Sequence, residues 1–346
     1  MKKSKWLNYT LAGATLLGSL ATTFTGVQAE DVNSVVMVTD IGGVDDKSFN
    51  QSAWEGIQQY GEENGLERGS NGYDYIQSDS DSDFINNLNT AMQADFDLIF
   101  GIGYKLEPAI NQLAQQFKDK QFVIVDGQSD VDNVATIGFK DHEAAFLAGV
   151  AAAMTTETNH VGFVGGVEGV IIDRFEAGFV EGVKAVDPDI QITVEYAGSF
   201  GDAAQGKQIA AAMYANDADI IFHASGDTGN GVFSEAKDLV SNDPSRNIWV
   251  IGVDRDQEEE GIVTVDGEER HLTLTSTLKE VGNGIIEFAE NVNQNGFEAN
   301  HMVYGLEDGG VDITEGQLSS DVLSKVQEYK EKIIAGEIEI PETPER

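Results

Sequence analysis

One stretch near the start of the chain carries the clearest chemical pattern: Asp40-Ile41-Gly42-Gly43-Val44-Asp45-Asp46-Lys47-Ser48-Phe49-Asn50-Gln51. Gly42 and Gly43 suit a tight turn after a strand, and Ser48 or Asp46 can cap the helix that follows. That much is ordinary strand-to-helix loop chemistry. Phe49 is not explained by it. A large aromatic at a helix start, beside the mouth of a sheet, either staples the helix to the core or offers its ring face to a ligand, and spacing alone leaves both readings open. Further polar and glycine-rich segments follow apolar runs at 101–104, 126–129, 165–174, 225–231 and 254–257. Carboxylates, amides and aromatic faces gathered in this way are the equipment of a binding site.

Patterns that would signal turnover or cofactor chemistry are missing. Gly226-Asp227-Thr228-Gly229-Asn230-Gly231 has the wrong glycine spacing for a dinucleotide loop, and no nucleophile elbow of the Gly-x-Ser-x-Gly type occurs. Asp79, Asp81 and Asp83 imitate the start of a calcium loop but lack the glycine and the closing glutamate, so they read as solvated acids. His142, His160, His223, His271 and His301 show no paired metal spacing, and the absence of cysteine removes disulfides, thiol catalysis and thiolate zinc sites. The expectation is a protein without catalytic residues, metal or cofactor.

The elements that must position these loops are legible as apolar periodicity. Short β-rich runs at 35–38, 97–100, 122–125, 161–164, 219–222 and 249–253 alternate with helical patterns at 48–63, 106–118, 174–186 and 231–240. Strands alternating with helices predict parallel, doubly wound sheets. The order also restarts midway. Phe49 before Glu55-Gly56 matches Phe175 before Glu181-Gly182, Asp97-Leu98-Ile99-Phe100 matches Asp219-Ile220-Ile221-Phe222, and Val123-Ile124-Val125-Asp126 matches Val250-Ile251-Gly252-Val253-Asp254. The paired residues Phe49/Phe175, Asp97/Asp219 and Asp126/Asp254 lie 126, 122 and 128 positions apart, so two copies of one unit are expected. Such sheets bind ligands outside the carboxyl ends of their strands, and two facing units make a cleft lined by equivalent loops.

Composition sets the remaining bounds. The 346 residues, 41% hydrophobic, suffice for two medium cores. Lys2, Lys3 and Lys5 precede an apolar stretch from Leu11 to about Phe24 that closes on Val27-Gln28-Ala29. This pattern is a secretory signal peptide over 1–29, too short and too interrupted for a membrane anchor. Its removal takes three lysines and no acid, moving the formal charge from −39 to −42. Such acidity argues against nucleic acid or anionic membranes as partners, and it fits either a salty habitat or simply an acidic surface.

The three motifs Asp40 to Gln51, Arg174-Phe175-Glu176-Ala177-Gly178-Phe179 and Ile251-Gly252-Val253-Asp254 closely resemble the basic membrane protein family. These are substrate-binding components of ABC importers, related to the purine nucleoside receptor A lipoproteins, and the likeness runs from about Val35 to Pro341. The resemblance implies a type I periplasmic-binding fold, a nucleoside ligand (inosine or guanosine in preference), an importer permease as partner, and a monomer. It also implies roles. Phe49 and Phe200 would sandwich the base, Asp126 would accept hydrogen bonds from the base edge with Asp40 and Asn50 in support, and Gly226, Asp254 and Lys279 would face the ribose. Many members are tethered through a lipid-modified cysteine after the signal peptide, and this sequence contains none. The expected location is therefore extracellular, cell-surface or periplasmic without that anchor.

The expected division is a signal peptide at 1–29, a first lobe of 31–140 with part of 275–310, and a second lobe of 141–273 with part of 311–341. A sensory module of the same fold, a sugar-binding protein and a nucleoside-cleaving enzyme are the competing functions. The first would need an attached signalling or DNA-binding segment, the second would bind ribose but no nucleoside, and the third would need a placed nucleophile and measurable turnover.

Overall fold

The computed structural model describes residues 32–345, and the expected leader lies outside them. Apolar runs of β-branched and aromatic residues become strands wherever both faces are covered by helices, because a parallel strand buried on two sides has no polar face. Thus β1 (Val35–Val38) and β3 (Leu98–Ile102) are buried at every residue, whereas the edge strand β2 (Tyr73–Ile76) is half-buried throughout. With β4 (Gln121–Val125), β5 (Val134–Phe139) and β13 (His301–Tyr304) they form one parallel sheet in the order β13-β5-β4-β3-β1-β2.

The second sheet repeats this plan. It runs β14-β12-β9-β8-β6-β7, built from β6 (His160–Gly165), β7 (Gln191–Tyr196), β8 (Ile220–Ala224), β9 (Trp249–Gly252), β12 (Thr273–Lys279) and β14 (Val311–Ile313). Only β14 is antiparallel to its neighbour. A small hairpin, β10 (Ile262–Val265) and β11 (Glu268–His271), stands outside both sheets.

Helices α1 (Phe49–Glu63), α2 (Phe84–Gln93), α3 (Glu107–Gln116) and α8 (Val281–Asn295) belong with the first sheet. Helices α4 (Asp141–Thr155), α5 (Val170–Val186), α6 (Ala203–Ala215), α7 (Thr228–Asn242) and α9 (Ser320–Ile334) belong with the second. The chain therefore passes between the sheets three times: from β5 to α4, from β12 to α8, and from β13 to β14. These three crossings form the connection between the two lobes. Two α/β lobes with parallel sheets and a multi-strand hinge are what the sequence led us to expect.

Two differences from the sequence reading have clear causes. Helix α4 escaped notice because twelve of its fifteen residues are buried, so its apolar positions surround the axis and leave no stripe to read. Helix α5 begins at Val170, a turn before the expected 174, which places Ile171 and Ile172 on a helix rather than in a loop. These two helices pack unusually closely. A β-carbon on Gly182 would lie 2.1 Å from the Phe146 carbonyl oxygen, so glycine there is a condition of the α4–α5 contact.

Candidate ligand-binding site

The loops at the carboxyl ends of both sheets close on one another around a cleft enclosing about 510 Å³ of empty space, its mouth included. All eight residues singled out from the sequence line it: Asp40, Phe49, Asn50, Asp126, Phe200, Gly226, Asp254 and Lys279. Their placement follows from strand ends. Asp126 follows β4 directly, Asp254 comes two residues after β9, and Lys279 is the last residue of β12. Asp126 and Asp254, equivalent in the internal repeat, both adopt left-handed backbone, at φ 64° and 67°. Aspartate tolerates that region better than most residues, and its use at both lobes marks positions where the chain must turn sharply.

The start of α1 shows which residue does the capping. Asp46 accepts from the backbone N–H groups of Ser48, Asn50 and Gln51 at 2.8, 3.0 and 3.1 Å. Ser48, left free of that duty, donates its hydroxyl across the cleft to Asp254 Oδ2. Asn50 Nδ2 donates to Asp40 Oδ1 at 2.8 Å and to Asp46 Oδ2 at 3.0 Å. Two carboxylates thereby fix the amide, and Asn50 Oδ1 remains a buried acceptor with no protein partner.

Lys279 occupies the centre of the site. Its Nζ lies 2.5 Å from Asp126 Oδ2 and 2.9 Å from Asp141 Oδ1, and the rings of Phe49, Phe139 and Phe175 surround it at 5.1, 5.2 and 5.7 Å. Burial works against the ammonium charge, but Asp126, Asp141 and Asp254 together outweigh it and raise its pKa. Burial pushes Asp254 up to about 6 against the pull of Lys279 and Ser48, and pushes Asp40 up to about 6 against the Gly42 amide and Asn50. Asp126 Oδ1, like Asn50 Oδ1, is buried without a protein partner.

Phe200 sits on the β7–α6 loop, and that loop is fastened. Thr228 N–H donates to the Phe200 carbonyl at 3.1 Å, and the Thr228 hydroxyl donates to the Ser199 carbonyl at 3.0 Å. The Phe200 ring meets Tyr104 edge-on at 6.4 Å and lies over Gly166, where a β-carbon would approach the ring to 2.2 Å. Phe49 comes from the first lobe and Phe200 from the second, and no ring contact joins them among the described residues.

Several lining residues were not singled out beforehand. Tyr104 and Ser225 fell inside the strand-end segments without being chosen. Phe175 was already marked as the repeat partner of Phe49, and the repeat could have placed it at the cleft. Asp141, which stands behind the lining, had no signal, because it opens a helix buried on every side. The lobes are further joined by Gln257 Nε2 donating to the Lys47 carbonyl at 2.9 Å, Tyr104 Oη donating to the Val167 carbonyl at 3.3 Å, and an Arg255–Glu55 ion pair at 3.2 Å.

Two parallel-sheet lobes hinged at three crossings and closed over a pocket that both supply define a type I solute-binding protein. A solute-binding protein of an ABC transporter system from Aeropyrum pernix superposes with a TM-score of 0.77 at 25% identity, over 91% of this chain and 94% of that one. The chain belongs to the Bmp family, described as ABC transporter substrate-binding protein PnrA-like, whose model matches residues 33–344. It is 51% identical over 348 residues to the CD4+ T-cell-stimulating antigen of Listeria innocua, covering 98% of each chain. It is 46% identical over 309 residues to the ABC transporter nucleoside-binding protein BmpA of Lactococcus lactis, covering 88% of each. The protein is thus the substrate-binding component of an ABC transporter, of a family that works outside the cytoplasm. No helix among the described residues is long and apolar enough to cross a membrane.

Proposed function

We propose that this chain captures a purine nucleoside, inosine or guanosine in preference, in the cleft and presents it to the importer permease. The observation that carries the reading is the pair of buried, unpartnered acceptors Asn50 Oδ1 and Asp126 Oδ1, set in a cleft that also holds the rings of Phe49 and Phe200. An unpartnered buried acceptor is costly, so the site favours a ligand that brings donors to it. Hypoxanthine and guanine present N–H groups on their Watson–Crick edge. The two rings stack the base, Asp40 holds Asn50 in place, and Asp254 with Gly226 and Lys279 receives the ribose hydroxyls through charge-assisted hydrogen bonds.

Residues 31–140, with the returning segment of α8 and β13, act as one lobe, and α4 to β12 with β14 and α9 act as the other. A ligand touching both lobes adds contacts available only when they are closed, and so shifts the hinge equilibrium by its differential affinity. Residues 1–29 direct export, and the protein acts as a monomer.

Calorimetry with inosine, guanosine, adenosine, cytidine and ribose tests the reading. We expect the 6-oxopurine nucleosides to bind most tightly. Binding of ribose but of no nucleoside would overturn it, and release of free base from inosine would put an enzyme in its place.

A further inference from the structure

Lys279 is gripped from two directions, and only one of its two partners belongs to the cleft wall. Asp126 comes from the end of β4 in the first lobe. Asp141 is the first residue of α4, immediately after the first crossing, and Lys279 is the last residue of β12, immediately before the second. The Asp141–Lys279 pair therefore ties two hinge segments together, with side chains 0% and 3% exposed. Among the described residues the Asp141 carboxylate has no other ion-pair or hydrogen-bond partner.

The geometry at Asp126 depends on that second grip. An ammonium has three N–H donors and, buried beside a single carboxylate, it settles where it can serve both oxygens. Here Asp141 draws Nζ to one side at 2.9 Å, Nζ meets Asp126 through Oδ2 alone, and Oδ1 is left without a partner. The rings of Phe49, Phe139 and Phe175 flank the ammonium.

We propose that Asp141 is a positioning residue for ligand capture: by holding Lys279 at the hinge it keeps Asp126 Oδ1 free to accept a hydrogen bond from the ligand. This rests on the reading that Asp126 meets the base edge. Asp141 itself touches no ligand; loosening Lys279 disturbs the ribose contact of every nucleoside alike, and the loss at Asp126 is added for ligands that donate there.

That difference between ligands supplies the test. Inosine carries an N1–H donor and a 6-oxo group, and purine riboside has the same ring and sugar with neither. Wild type binds inosine the more tightly. At about pH 8, where Asp141 is ionised, Asp141→Asn keeps the shape and removes the charge, and it weakens inosine binding about tenfold more than purine riboside binding, which collapses the selectivity. Equal losses for both ligands, or no loss for either, overturn the proposal, because a general structural defect does not distinguish them. Should Asp141→Asn fail to fold, as read by its melting curve, Asp141→Ser enters the same comparison. A wild type that binds neither nucleoside refutes the functional reading instead. A wild type that binds both equally refutes the role of Asp126 and this inference with it.

Discussion

Replacing Phe49 with alanine removes one of the two aromatic faces that the proposed site offers to a base. The position makes the change informative. Phe49 is the first residue of α1, half-buried, with its ring 5.1 Å from Lys279 Nζ, and alanine is fully compatible with the helix. Loss of base–aromatic stacking costs about 1–3 kcal/mol, and each 1.4 kcal/mol is tenfold in affinity, so the central expectation is about ten- to hundredfold weaker binding. The ring's attraction for the Lys279 ammonium, about 0.5–2 kcal/mol, is lost with and without ligand and so appears mainly in stability.

The assay is titration calorimetry with inosine at fixed salt, paired with a thermal melt. Phe49→Trp, which retains a face, should keep affinity within a few fold. Phe117→Ala, at a ring 40% exposed and outside the cleft, should change nothing. An unchanged dissociation constant for a folded Phe49→Ala protein would remove Phe49 from the site. It would leave the residue as a staple between α1 and the core, the other role the sequence allowed.

Two further outcomes concern stability. Burial pushes Asp40 and Asp254 up to about 6 and Asp141 up to about 7, against 3.8 for an ordinary aspartate, so the folded protein holds protons that the unfolded chain has released. That contribution, at most about 3 kcal/mol each for Asp40 and Asp254 and about 4 kcal/mol for Asp141, is complete below about pH 4 and is lost as pH rises through 6 to 7. Scanning calorimetry of ligand-free protein at constant ionic strength should therefore show the melting temperature falling between about pH 5 and pH 8, and a rise would contradict the burial of these groups. Gly182→Ala should cost about 1–3 kcal/mol, because the new β-carbon meets the Phe146 carbonyl and the α4–α5 contact has to open. Its melting temperature drops while inosine affinity stays within about twofold, since Gly182 lies outside the cleft. A neutral melt would show that the two helices separate more easily than their spacing implies.

The sequence by itself determined six of the twelve sheet strands among the described residues (β1, β3, β4, β6, β8 and β9), the restart of the unit, and the loops where a ligand would meet the protein. These are local matters. A strand covered by helices on both faces must be apolar along its length, as β1 and β3 are, and a duplicated unit keeps its spacing because each copy must close its own sheet. The same logic failed for α4, whose burial on every side erased its period. Motif likeness then supplied eight residues that line one cleft.

What only the tertiary structure decided is which of these groups partner one another. Ser48 is a plausible helix cap in sequence, yet Asp46 takes that duty and Ser48 reaches Asp254, 206 residues away. Lys279 finds Asp126 of the other lobe across 153 residues, and Asp141 at the start of α4 in its own lobe. Pairings of this kind arise when two lobes close and remove water from charged groups, whose energies then depend on who is nearest in space. Neighbours along the chain carry no record of that. The fold was therefore legible from local pattern, whereas the grip on Lys279, and with it the oxygen left free on Asp126, emerged only from the closed cleft.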